Sequence, residues 1–452
     1  MKNSHLGKAP ENPPENAPES SPEPQKPAKA GRRTRILCAV LVLAVLAAGL
    51  AVYRNRLPAL NANADMVYDG GGRLSKIDVS APDGGFLTSY NGFGLNLLRR
   101  QYREGQNLFL SPASVYLALA MMRGGAKGET AEGFSQTLGG TGGGTGAWNR
   151  NCLALQGLIA GGRFRLANSI WLDGTFRGGV NADFLTADKT WFGASVGTLD
   201  FSSPEAGGVL GRWVRRNTGN RIDPGFKAFD ARTVMAVLNT IYFKSNWAQK
   251  FDKKSTKDDV FHAPAGDKTV SFMTGGRSDY FENGLLQGIL LPYDDRKTSM
   301  MILLPKTNLG DLLGRLTAAD LAAYVKKNSG GDTEALLSLP RLKFRTSLKL
   351  DSTLKAMGLA PAFDPNAADL SGIAGSKGSL YLSSVVHMTY LAVDENSTEA
   401  AAVTGIFTCG SAGPPQTKTV MKVDRPFLVA IVNNETGAQL FLGAVADPSV
   451  SQ

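Results

Sequence analysis

Residues 233–243 (TVMAVLNTIYF) form a run with no charge, no proline and no glycine. Its apolar side chains do not alternate with polar ones, so a strand here is covered on both faces and lies in the middle of its sheet. A chain that contains such a strand must build layers above and below it. Shorter apolar runs at 166–172, 299–305, 337–342, 425–432 and 439–443 supply further strands. Residues 90–98 have helical spacing, and Ser111-Pro112 opens an apolar helix over 115–122, with the serine suited to cap it. At 452 residues and 43% hydrophobic content, there is material for one large domain or two average ones.

The formal net charge is +10, but the cations are not gathered into a strong basic stripe along the sequence. No helix or aromatic-basic run suggests an element that reads a nucleic-acid groove, so nucleic-acid binding is not expected. Cys38, Cys152 and Cys409 are too few and too scattered for a disulfide framework or a zinc site, and no metal is expected. His5, His262 and His387 leave little material for histidine-dependent catalysis.

Residues 1–31 are rich in Pro, Glu, Ser and Lys and cannot bury enough surface to fold, which predicts a disordered tail. The uncharged, apolar run 36–53 then spans roughly 27 Å as a helix, close to a bilayer core. Lys26, Lys29, Arg32, Arg33 and Arg35 precede it and only Arg54 and Arg56 follow closely. This asymmetry predicts a single-pass signal anchor with the tail in the cytoplasm and the rest outside. The competing reading is a signal peptide cleaved after Ala62-Asn63-Ala64, giving a secreted protein. Residues 54–84 read as a stalk, and 85–452 as the globular domain.

Near the C-terminus lies a second unusual stretch, 394–404 (DENSTEAAAVT), followed by a loose segment at 405–415. At a period of two, Thr398, Ala400, Ala402 and Thr404 share one small, uncharged face, with Glu399, Ala401 and Val403 on the other. Such a strand can slide between two others without colliding with a packed core. Residues 395–404 closely resemble the proximal hinge of the reactive-centre loop of inhibitory serpins: Glu395, Ser397, Thr398, Glu399, Ala400, Ala401, Ala402 and Thr404. Ser397 departs from the usual glycine. The resemblance extends in order over about 85–448, through Asn107 to Ser114, Gly124 to Thr130, Asn246-Trp247, Leu370 to Ile373, Val386-His387-Met388 and Asp424 to Phe427.

The resemblance implies an α+β serpin fold, with three β-sheets, eight or nine helices and an exposed loop. It implies that His387 lies under the main sheet and bonds with Asn239, Ser111 and Ser114 in a polar cluster, the shutter. It also implies that Trp247 sits at the breach, the top of that sheet where insertion begins. The implied activity is suicide inhibition of a serine protease, with no cofactor: cleavage of the loop frees the hinge to insert as a new strand. The scissile bond is expected sixteen positions beyond Glu395, between Ser411 and Ala412. The small residues around it favour an elastase-like or subtilisin-like target, with a cysteine protease as the other class. The inhibitor is expected to be a monomer. A different class of function, a non-inhibitory binding or chaperone-like protein of the same fold, is the alternative, and the small face of the hinge argues against it.

Enzymatic readings are weaker. Ser352 and Lys355 fit a loose S-x-x-K pattern without its companion motifs. Gly193-Ala194-Ser195-Val196-Gly197 matches G-x-S-x-G, but an extended segment follows it where a nucleophile elbow needs a helix. Residues 148–158, which match the usual heparin helix, hold only Arg150, so activation through that helix is not expected.

Overall fold

The computed structural model describes residues 64–69, 80–140, 144–159, 163–230, 232–328, 334–398 and 419–450. The expected tail, the apolar run 36–53, the hinge from Glu399 to Thr404 and the Ser411–Ala412 bond lie outside the described residues. Among the described residues, no helix is long and apolar enough to cross a membrane.

Helices of the described residues are α1 (Gly84–Gln101), α2 (Pro112–Arg123), α3 (Gly128–Thr137), α4 (Gly144–Leu158), α5 (Ala182–Trp191), α6 (Ala206–Thr218), α7 (Leu309–Arg315), α8 (Ala318–Asn328) and α9 (Asp351–Leu354). Local chemistry sets their starts. The Asp83 carboxylate accepts the Phe86 N–H at the head of α1, and Ser111 accepts the Ser114 N–H at the head of α2, with Pro112 at the first helical position.

The main sheet is built from β1 (Ala64–Tyr68), β3 (Phe164–Asp173), β4 (Ser195–Leu199), β5 (Met235–Phe243), β12 (Leu342–Lys349) and β13 (Ser384–Val393). Two short pieces, β6 (Ser245–Asn246) and β14 (Ser397–Thr398), lie at its top. The order is β1-β4-β3-β5-β13, with β12 on the outer side of β13. The uncharged run seen in the sequence is β5, buried along its whole length. It pairs antiparallel with β3 and parallel with β13, in register from Ser384 opposite Ala236 to Tyr390 opposite Tyr242.

Two further sheets pass into each other through the long β8 (Gly266–Glu282). One contains β7 (Lys257–Ala263), β11 (Glu334–Pro340) and β15 (Thr419–Lys422). The other contains β9 (Leu286–Pro292), β10 (Thr298–Pro305), β16 (Phe427–Asn433), β17 (Gln439–Val445) and β2 (Leu108–Leu110). The principal core joins these strands to α2 and the inner face of the main sheet. A second core lies on the outer face, where Val209, Leu210, Trp213 and Val214 of α6 cover Ala236, Leu238, Val386 and Met388.

The stalk expected over 54–84 is not wholly a linker. Residues 64–68 add β1 antiparallel to the edge of β4, with Ala64 opposite Leu199. Ala64 and Met66 extend the outer core, Asp65 pairs with Arg177 at 2.8 Å, and Asp69 accepts from Ser195 Oγ and pairs with Arg216. The Lys189 ammonium lies 4.8 Å from the centre of the Tyr68 ring. Beside them is Asp188 of α5, 1% exposed, with no hydrogen-bond partner of good geometry for either carboxylate oxygen. Burial raises its pKa to about 7, offset only in part by the Ala194 backbone N–H and Lys189. Tyr68 titrates above its ordinary value because of burial and the nearby Asp188 and Asp69 carboxylates.

Candidate functional site

The site is the top of the main sheet, where β13 ends and the chain doubles back. A turn at Asp394 reverses it. Its carboxylate accepts the N–H groups of Asn396 and Ser397 at 2.9 and 3.0 Å, and its own N–H donates to the Ser397 carbonyl at 2.9 Å. The returning residues form β14, antiparallel to both neighbours: Thr398 lies opposite Val393 of β13 and Ser245 of β6, and Ser397 opposite Asn246. Ser397 and Thr398 thus lie between β13 and β6, while β5 and β13 pair directly below them.

Small size and matched polarity permit this. Ser397 and Thr398 are buried, and Thr398 Oγ1 shares a 2.8 Å hydrogen bond with the Tyr293 hydroxyl. Trp247, 3% exposed, stacks on Tyr293 with ring centroids 4.8 Å apart and donates its indole N–H to the Asp394 carbonyl at 2.8 Å. Its backbone N–H donates to the Asn396 carbonyl at 3.1 Å. Trp247 therefore holds the turn that leads into β14.

Glu395 locks the same turn. Its side chain is buried, and one oxygen accepts from Thr256 Oγ1 at 2.6 Å and from Arg341 Nε at 3.0 Å, with a closer contact from Arg341 Nη2. Burial pushes this carboxyl up, but the Arg341 and Thr256 donors outweigh it and hold the pKa below the ordinary value. Arg341 is the single residue between β11 and β12, and Thr256 precedes β7, so three segments distant in sequence meet on one oxygen.

Lower in the sheet, the four residues expected to cluster do so. His387 Nε2 accepts the Ser111 N–H at 2.9 Å, which leaves the proton on Nδ1 to donate to Asn239 Oδ1 at 2.5 Å. The Asn239 amide donates to the Ser114 carbonyl at 2.6 Å and also contacts Asn168. Ser111 Oγ donates to the Leu440 carbonyl at 2.7 Å, whereas Ser114 Oγ has no partner among the described residues. Burial lowers the pKa of His387 to about 3, so the ring is neutral at physiological pH. His387 lies directly opposite Asn239 in the β13–β5 pairing, so this polar cluster bridges the two central strands.

Arg341, Thr256, Tyr293 and Asn168 were missed in the sequence. Asn168 left a trace, a polar residue inside an apolar strand; the other three are unremarkable residues until the fold brings them together. The serine-hydrolase patterns gain nothing. Ser195 opens β4, a strand, and its hydroxyl is bound to Asp69.

The sequence model of the family described as Serpin (serine protease inhibitor) matches residues 88–448. The chain belongs to the serpin family. An uncharacterised serpin-like protein of Thermococcus kodakarensis is 31% identical over 431 residues, covering 92% of this chain and 99% of the relative. The human leukocyte elastase inhibitor is 32% identical over 369 residues, covering 76% of this chain and 93% of the relative. The native-state crystal structure of the thermophilic serpin tengpin superposes with a TM-score of 0.77 at 28% identity, covering 85% of this chain and all of tengpin. The three-sheet α+β architecture expected of the family is the one observed.

Proposed function

We propose that this serpin inhibits serine endopeptidases as a suicide substrate. The observation that carries the reading is the seating of Ser397 and Thr398 between β13 and β6, above two strands that still pair directly. The hinge is poised at the fork, and its next small residues, Ala400 and Ala402, continue the face that fits the slot. A protease that cuts the loop and remains acylated to its N-terminal side would be carried along as β5 and β13 part and the hinge fills the gap. The His387–Asn239 pair is the latch in this reading, since its bond crosses the line of separation and must exchange partners. The scissile bond is Ser411–Ala412, and the target is elastase-like or subtilisin-like, because small residues offer nothing to a deep basic- or aromatic-reading pocket. The run 36–53 tethers the inhibitor to a membrane, with the serpin domain outside the cytoplasm.

Incubation with a protease panel should give a complex stable to SDS with an elastase or subtilisin and not with trypsin. The C-terminal peptide recovered under denaturing conditions should begin at Ala412. Quantitative cleavage without complex would sink the inhibitory reading, and a peptide starting outside 410–414 would sink the assigned bond.

A further inference from the structure

Strand β1 lies at one edge of the main sheet and is lightly secured. Its five residues pair with β4 alone, and the register breaks between Met66 and Tyr68. Only Ala64 and Met66 join the outer core, and Val67 is 38% exposed. An edge strand held by one ladder and so little apolar contact can open locally while the rest of the domain stays folded.

Beside Tyr68, its last residue, lies Asp188, buried and with neither carboxylate oxygen well partnered among the described residues. An acid kept for the fold alone is normally paired or hydrogen-bonded, because an unpaired buried charge is costly. The groups around it do not supply that pairing. On its own helix, Lys189 acts on it, but that ammonium stands over the Tyr68 ring, 4.8 Å from its centre. From the turn into β4, the Ala194 N–H favours the charged form. From β1 comes the Tyr68 phenol, whose own ionisation the Asp188 charge opposes. The other acids of the segment are engaged elsewhere: Asp65 pairs with Arg177, and Asp69 accepts from Ser195 Oγ and pairs with Arg216. Helix α4, packed against α5, contributes Gln156, whose amide donates to the Trp191 carbonyl at 2.5 Å.

We propose that β1 is a proton-controlled strap, held on the β4 edge while the Asp188 beside it is protonated and loosened when Asp188 ionises. With β1 in place, burial outweighs Lys189 and the Ala194 N–H, and the carboxyl keeps its proton to about pH 7. With β1 away, water reaches the carboxylate and the proton leaves at lower pH. Docking is therefore strongest near pH 4, weakens as pH rises towards 7 and stays weak above it, by up to tenfold for each pH unit between the two values. Ten residues separate the apolar run 36–53 from Ala64, and thirty separate it from α1. Release of β1 would thus extend the chain available between that run and the domain from roughly 35 Å to roughly 100 Å.

Hydrogen exchange of the full chain in detergent tests this, read by mass spectrometry on peptides covering 64–69 and corrected for the intrinsic pH dependence of amide exchange. Protection there should be about tenfold or more greater at pH 5 than at pH 8. Protection in β12, the opposite edge strand, should be the same at both. Asp188→Asn should keep the pH 5 protection of 64–69 at pH 8. Asp188→Ala should also abolish the pH dependence, so a packing fault in one variant does not decide the outcome. Asp65→Asn, which breaks the pair with Arg177, should lower protection at both pH values by the same factor and leave their ratio intact. Equal protection of the parent at pH 5 and pH 8, or a ratio that survives in both Asp188 variants, would overturn the proposal. The readout uses no protease and no membrane, so it stands or falls separately from inhibition.

Discussion

Asp188 offers a test of the fold that is independent of any protease. Its pKa is raised from 3.8 to about 7 because burial disfavours the charged carboxylate. An unfolded chain releases this proton near pH 4, whereas the folded chain holds it until about pH 7. Stability is therefore undisturbed below pH 4, declines as pH rises from 4 to 7, and stays reduced above that. A displacement of about three pH units corresponds to roughly 4 kcal/mol. Asp188→Asn keeps the shape and removes the charge, so it should match the parent at pH 4 and exceed it at pH 8. With an unfolding entropy near 2.1 cal/mol/K per residue, 4 kcal/mol is about 5 °C in Tm for a domain of roughly 370 residues. Thermal melts of both proteins across pH 4 to 9 would show the gap opening between pH 4 and 7. A gap constant in pH, or a variant less stable at pH 8, would refute the reasoning and mean that a partner stabilises the charged carboxylate.

Two further outcomes follow from the fork in the main sheet. Thr398→Arg would force a guanidinium into the buried slot beside Tyr293, at a cost of several kcal/mol. It should turn inhibitor into substrate, with normal cleavage and no stable complex on gels; unchanged inhibition would contradict insertion. Cutting the loop in the isolated protein should raise Tm by on the order of 10 °C, because each bond of the single β5–β13 ladder is replaced by bonds to a strand on either side. A nicked protein that melts with the intact one would favour a non-inhibitory role.

Much of this was legible in the sequence for a physical reason. A strand covered on both faces has to be uncharged throughout, and 233–243 showed that directly. Ser111 announced α2 because a cap acts within three residues. The shutter emerged only through resemblance to a known family, since His387 and Ser111 are joined across 276 positions. What the sequence could not show was convergence. Arg341 and Thr256 gain their meaning from the single carboxylate oxygen they share. Strand β1 was hidden differently: five residues beside a glycine-rich segment carry too little pattern to distinguish an edge strand from a linker.

The two ends of the loop are fastened to different sheets, β14 to the first and β15 to the sheet around β11. Residues 412–452 also contain β16 and β17, which are fully buried and sit between β10 and β2. A cut between Ser411 and Ala412 therefore severs the chain without dividing the molecule, and the two pieces would travel together until denatured. It also changes the order of the folding reaction. An intact chain can refold alone, at a rate indifferent to its concentration, whereas a nicked one must first find its missing strands in solution. Once cut and unfolded, a dilute sample has no practical way back, so cleavage makes folding a one-way event.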